Sequence, residues 1–200
     1  MGADAGVLRR GPEGVIRAAG NGNLSNTEGR KMSVEIGFGC DIDASARIGT
    51  KPHALRKVPF KDFRKRKTAK GGVHIREFVS IGAFVSIQLG STRKTTIGEH
   101  SFLNDGVRIG HDVQLGRCVR VGLGSTISGY SEIGDYVLIG PGCTISNRIK
   151  IGNGARIRIG SLVISDVPAD ADYAGRPAIP FDEFKRRRAK YKELVGADDK

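Results

Sequence analysis

Tryptophan is missing from this 200-residue chain, and aromatic residues make up only 6% of it. A fold built around large aromatic cores is therefore disfavoured, and packing must rest on small aliphatic side chains. Cysteine is scarce as well. Cys40, Cys118 and Cys143 lack metal-ligand spacing, and no two histidines fall at ligand spacing, so neither a metal site nor a disulfide framework is expected. No apolar run is long enough to span a membrane. The opening stretch MGADAGVLRRGPEGVIRAAG lacks the apolar centre of a secretory signal. These absences predict a cytoplasmic protein with reduced thiols.

What the chain has instead is glycine, 29 residues of it, and a six-residue beat. An aliphatic residue recurs at Ile97, Leu103, Ile109, Leu115, Val121, Ile127, Ile133, Ile139, Ile145, Ile151 and Ile157. Glycine follows many of these positions, and a small or β-branched residue sits four places after each. Such a period is the signature of a parallel β-helix. One coil cannot bury its own apolar side, but stacked coils can, through ladders of equivalent residues. Three hexads per coil make a triangular prism in which residues eighteen apart lie above one another. The inward positions include Cys40 and Cys143, whereas Cys118 is expected at the surface.

The beat also takes in Ile36, Ile42, Ile48, Ile75, Ile81 and Ile87. Two gaps interrupt it. Extra residues near Arg93 and Lys94 predict a small loop, and the stretch KPHALRKVPFKDFRKRKTAKGG predicts a basic excursion at about 50–72. The expected organisation is a flexible arm over 1–33, a β-helix over 34–167 carrying that excursion, and an exit loop and helix over 168–200. Phe181, Phe184, Tyr191 and Leu194 recur at helical spacing, with Asp182 and Lys192 suited to the two ends of the helix dipole. Packing against the last coil or a neighbouring subunit accounts for that stripe.

The formal charge of +12 is concentrated in the excursion and the C-terminal segment. It suits an anionic partner of some kind. No aromatic interleaving or nucleic-acid-binding motif accompanies it, so nucleic acid is not the expected partner.

Three segments carry a family resemblance: GGVHIREFVSIGAFVSIQLGSTRKTTIG, FLNDGVRIGHDVQLGRCVRVGLGSTISGYSEIGDY and SDVPADADYAGRPAIPFDEF. In this order they resemble the hexapeptide-repeat acyltransferase superfamily, and within it the UDP-3-O-acylglucosamine N-acyltransferases of lipid A biosynthesis. The resemblance implies a left-handed coil, a homotrimer with clefts between subunits, and a cytoplasmic reaction on a sugar or nucleotide sugar. It implies no permanently bound cofactor, only a donor bearing phosphopantetheine, either acyl carrier protein or coenzyme A. Only about thirty irregular residues precede the first hexad, so the family's N-terminal uridine-binding domain is expected to be lacking.

By position, the resemblance makes His111, in IGHDV, the general base and Gly129, eighteen residues later, the oxyanion donor. Asn104 and Asp105 match an Asp-Asn pair in reversed order and are candidates for substrate binding. Arg148 stands where the family has a second histidine. With Lys150, Arg156 and Arg158 it is a candidate for the donor surface. A histidine can take the proton of an attacking amine or hydroxyl, and a bare peptide N–H can stabilise the oxyanion that forms. With no convincing nucleophile, direct attack without an acyl-enzyme is expected. The competing reading is a non-catalytic trimeric β-helix that serves as a scaffold or binds an anionic partner.

Overall fold

The computed structural model describes residues 8–10, 15–18, 22–25, 33–50 and 71–195. The 50–72 excursion lies almost entirely outside the described residues, as does much of the 1–33 arm.

Strands of two to four residues are stacked into three sheets that wall a triangular prism. The first face holds Asp41–Asp43, Ser80–Ile81, Phe102–Leu103, Arg120–Val121, Leu138–Ile139 and Arg156–Ile157. The second holds Arg47–Thr50, Ser86–Gln88, Arg108–Ile109, Thr126–Ile127, Thr144–Ile145 and Leu162–Val163. The third holds Ser33–Ile36, Gly72–Ile75, Thr95–Ile97, Gln114–Leu115, Glu132–Ile133 and Lys150–Ile151. Pairing between coils is parallel: Ile97 with Leu115, Leu115 with Ile133 and Ile133 with Ile151, a constant step of eighteen residues. The register stays in phase across the interruptions too, because Ile75 pairs with Ile97 and Ile36 with Ile75. Both interruptions fall between faces, and neither shifts the register of the third-face strand that follows it.

Every beat residue from Ile97 to Ile157 is buried, as are the smaller residues four places on, from Ser101 to Ser161. Full burial of an isoleucine or leucine stabilises by roughly 1.5–3 kcal/mol, so these ladders hold the coils together. Inward hydroxyls stay satisfied: Ser125 Oγ donates to the Gly140 carbonyl at 2.9 Å and accepts from the Cys143 amide at 3.1 Å. Cys40 and Cys143 are buried and Cys118 is half-buried. Burial pushes the Cys40 and Cys143 thiols above their ordinary pKa.

Within the first thirty-three residues, Leu8–Arg10 pairs antiparallel with Val15–Ala18, which pairs with Asp41–Asp43. Gly22–Ser25 pairs antiparallel with Ser33–Ile36. At the other end, Asp172–Gly175 joins the first face beside Arg156–Ile157, and Ala178–Pro180 turns back against it antiparallel. The helix Phe181–Val195 follows, with Asp182 and Glu183 in its first turn and Lys192 in its last. Its first turn docks through half-buried Phe181 and Phe184, and Phe181 lies under the Arg158 guanidinium at 4.3 Å. Tyr191 and Leu194, the rest of the predicted stripe, are exposed. No helix among the described residues is long and apolar enough to cross a membrane.

Candidate active site

His111 sits where the chain leaves the second face for the third, at the first position of a two-residue bend. Asp112, the second position, adopts φ of 61°. Directly above, Gly129 and Tyr130 form the equivalent bend of the next coil, Tyr130 at φ 63°. Arg148 holds the second position one coil further, at φ 60°.

The four-residue interruption shapes this corner. Asp112 is fully buried because Ser91, Thr92 and Arg93 fold over its carboxylate. Oδ1 accepts from the amides of Thr92 and Arg93, each at 2.7 Å, and from Thr92 Oγ1 at 2.8 Å. Oδ2 accepts from the Ser91 amide at 2.9 Å, Ser91 Oγ at 2.5 Å and His111 Nδ1 at 2.8 Å. Burial raises the pKa of this carboxyl, but the donors of Arg93, Ser91 and His111 outweigh it and hold the group well below the usual carboxylate range. An ionised carboxylate only accepts, so His111 Nδ1 carries the proton, and the lone pair of the neutral imidazole is then at Nε2.

Gly129 lies against that nitrogen. A Cβ built on Gly129 would meet His111 Nε2 and Cε1 at 2.9 Å, so any larger residue would displace the ring. In several other coils the amide at this bend position is capped by a side chain. Ala83 donates to Asp105 Oδ1 at 2.8 Å, Arg117 to Asp135 at 3.0 Å and Asp135 to Asn153 at 2.9 Å. The Gly129 amide has no hydrogen-bond acceptor among the described residues. An oriented imidazole and an uncapped peptide N–H thus meet at one corner, with His111 about a quarter exposed.

Two further groups complete the corner. The Tyr130 ring meets His111 edge-on, with centroids 4.9 Å apart and planes at 90°. The guanidinium carbon of Arg148 stands 5.1 Å from the Tyr130 centroid. A groove of about 530 Å³ runs up the adjoining third face past Gln114, Glu132 and Lys150 to Asp166 and Pro168.

The remaining candidates lie elsewhere. Asn104 and Asp105 belong to the preceding corner of the same coil, between the first and second faces. There Asn104 Oδ1 accepts from the Asp105 amide at 2.8 Å. The four basic candidates do not form one patch. Arg148 is on the histidine corner, Lys150 on the third face and Arg156 on the first. Arg158, at the top of the first face, is engaged by Asp172 at 2.5–2.8 Å and by Phe181. Residue spacing did not single out Asp112, Tyr130 or the fold-over of Ser91–Arg93. The signal that was available is the phase break near Arg93, set one coil before His111.

No protein-family model matches the chain. It is 40% identical over 151 residues to a UDP-3-O-acylglucosamine N-acyltransferase of Rhizobium meliloti, a match spanning 76% of this chain and 42% of the relative. The chain thus spans less than half the length of that relative. Among solved structures, a UDP-N-acetylglucosamine acyltransferase superposes with a TM-score of 0.66 at 26% identity, covering 81% of this chain and 62% of that one. A UDP-N-acetylglucosamine acyltransferase of Francisella novicida gives 0.65 at 24% identity over 77% of this chain and 56% of its own, which bears on the fold alone. The fold is the left-handed parallel β-helix with one C-terminal helix.

Proposed function

We propose, for a chain that belongs to the hexapeptide-repeat acyltransferase superfamily, that it moves an acyl group from a phosphopantetheine thioester to an amine or hydroxyl of a sugar or nucleotide sugar. One observation carries the reading: a His111 imidazole fixed by buried Asp112 lies beside Gly129, whose amide has no acceptor among the described residues. Nε2 takes the proton of the attacking group as it adds to the thioester carbonyl. The Gly129 N–H holds the resulting oxyanion. Collapse expels the thiolate, which recovers the proton from the imidazolium. No acyl-enzyme forms. Asp112 keeps the imidazole in one tautomer and stabilises its cationic form.

A single prism presents this corner as an open ridge, and a homotrimer would wall it. In support, Phe84, Leu123 and Ile159 are large apolar side chains left exposed, two coils apart, on the corner between the first and second faces. Packing against a second copy would cover them. Asn104 and Asp105 stand on that corner, so a neighbouring copy packed through it would bring them toward another copy's His111 to bind acceptor. The groove beside Lys150 suits the donor arm, with Lys150 attracting the negative charge of coenzyme A or an acyl carrier protein. Such thioesters belong to the cytoplasm.

Mass spectrometry of products tests the proposal. Amino and hydroxy nucleotide sugars are incubated with acetyl-CoA or with acyl carrier protein thioesters. Transfer that requires His111 is expected. A folded wild-type trimer that transfers nothing across the panel would leave the scaffold reading in its place.

A further inference from the structure

We infer that Tyr130 is the positioning residue that holds the His111 imidazole in place beside Gly129. This assignment rests on the acyl-transfer reading above and adds to it a group that acts through the base and not on the substrate.

One hydrogen bond does not fix an imidazole. With Nδ1 held by Asp112, the ring is still free to pivot about that bond and carry Nε2 along an arc. Proton transfer tolerates little of this, since a misplacement of ~1 Å can cost about 100-fold in rate. Gly129 borders the ring, where a Cβ would meet Nε2 and Cε1 at 2.9 Å, but glycine has no side chain with which to grip it. A second contact on the ring has to come from another residue.

Tyr130 supplies it. Its amide donates to the His111 carbonyl at 3.0 Å, which ties the two bends together. Its ring meets the imidazole edge-on, with centroids 4.9 Å apart and planes at 90°. Its hydroxyl lies 3.3 Å from Ser91 Oγ. The direction of that bond follows from the next one. Ser91 Oγ is 2.5 Å from Asp112 Oδ2, and an ionised carboxylate only accepts. The single hydroxyl proton of Ser91 therefore goes to Asp112, and the phenol donates to Ser91. Asp112 Oδ2 also accepts from His111 Nδ1 at 2.8 Å.

The four side chains thus close a circuit: Tyr130 to Ser91, Ser91 to Asp112, Asp112 to His111, and His111 back to Tyr130. Its members come from three consecutive coils, with Ser91 below His111 and Asp112, and Tyr130 above. The guanidinium carbon of Arg148, 5.1 Å from the Tyr130 centroid, backs the ring from the next coil up. A pivot of the imidazole must break the circuit at its Tyr130 contact. The phenol oxygen is committed on the Asp112 side, so Tyr130 acts by placement and not as a second acid at Nε2.

Nuclear magnetic relaxation of the His111 Cε1–H bond in the full chain reads ring motion without turnover. Wild type should be as rigid there as the strands. Tyr130→Ala should free the ring and lower kcat by about 100-fold, with KM close to wild type. Tyr130→Phe keeps the ring contact and should lose less than ~10-fold, the effect of one neutral hydrogen bond. That smaller loss should vanish in a Ser91→Ala background, where the phenol has no partner left to lose. These two substitutions remove only oxygen atoms, so the cycle is decisive even where Tyr130→Ala does not fold. Four results would overturn the assignment: an imidazole equally rigid in Tyr130→Ala, an unchanged kcat there, a rise in KM with kcat kept, or additive losses in the Ser91–Tyr130 cycle. Failure of the acyl-transfer reading looks different, since wild type then yields no product while His111 mobility still depends on Tyr130.

Discussion

Two corners of the prism share one backbone path and differ in nearly everything else. Between the first and second faces, the bends place Gly106, Gly124, Gly142 and Gly160 at positive φ, and expose Leu123 and Ile159 beside them. Between the second and third faces, the same bend position holds Asp112, Tyr130 and Arg148 at equally positive φ. A residue with a side chain in that conformation costs about 1 kcal/mol or more relative to glycine. At Asp112 the hydrogen bonds from the folded-over loop offset that cost. The repeat therefore fixes the bend, and the side chain at the bend decides what a corner presents: glycine, with Phe84 the exception, at the first, and a carboxylate, a phenol and a guanidinium at the second.

Substitutions can break that contrast. The largest effect is expected from His111→Ala, which should lower turnover by up to ~10⁴-fold while thermal unfolding stays close to wild type. A His111→Ala variant that retains full rate removes the imidazole from the mechanism.

Asp112→Ala leaves the buried donors of Ser91, Thr92 and Arg93 without an acceptor and should destabilise the chain by about 3 kcal/mol in denaturant titration. Asp112 also predicts a pH effect of defined sign. Its folded pKa is below the ordinary 3.8, so its stabilisation is fully present above that value. The stabilisation is lost as pH falls from there through the depressed folded value. Acid titration of wild type against Asp112→Asn should show a steeper loss in wild type below about pH 4. Parallel curves would mean that the carboxylate is not preferentially ionised in the fold.

Gly129→Ala brings the new methyl to the His111 ring and should reduce kcat by about 100-fold through misplacement of the base. Steady-state kinetics alongside a melting curve separates that loss from unfolding. The mildest change belongs to the opposite corner. Within one chain Gly142→Ala meets nothing within 4 Å, so its positive φ sets the local cost. It should cost about 1 kcal/mol of stability and lower kcat far less than Gly129→Ala does. An activity loss there equal to that of Gly129→Ala would show that the two corners are not functionally distinct.

The coil was legible because its period is set by burial. Ile97 and its successors had to point inward, and the eighteen-residue step between paired strands follows from three hexads per turn. The helix at 181–195 was legible from the helical spacing of Phe181, Phe184, Tyr191 and Leu194, although only the first two are partly buried. The histidine corner was legible only in part. The positions of His111 and Gly129 one coil apart are arithmetic, but the setting of the imidazole is not. A hexad places Asp112 at an outward bend, yet it is fully buried, because Ser91, Thr92 and Arg93 close over it from twenty residues away. Phase counting located the loop near Arg93 without giving its direction. The contact between Tyr130 and Arg148 was hidden for a related reason, since periodicity fixes where a bend occurs and not how its side chains lean. The basic residues from Arg148 to Arg158 are close in sequence, but a triangular cross-section sends them to different walls.

The reversal of Ala178–Pro180 against Asp172–Gly175 bears on how tall the column can grow. A pile of parallel rungs ends in unpaired peptide groups, and another molecule's rungs could continue from them into a fibre. Here the last rung of the first face is met by a strand running the wrong way, with proline at its tip and a cationic helix beyond. A second molecule finds no matching ledge on that wall, so the same turn that anchors the helix also sets the height at which stacking stops.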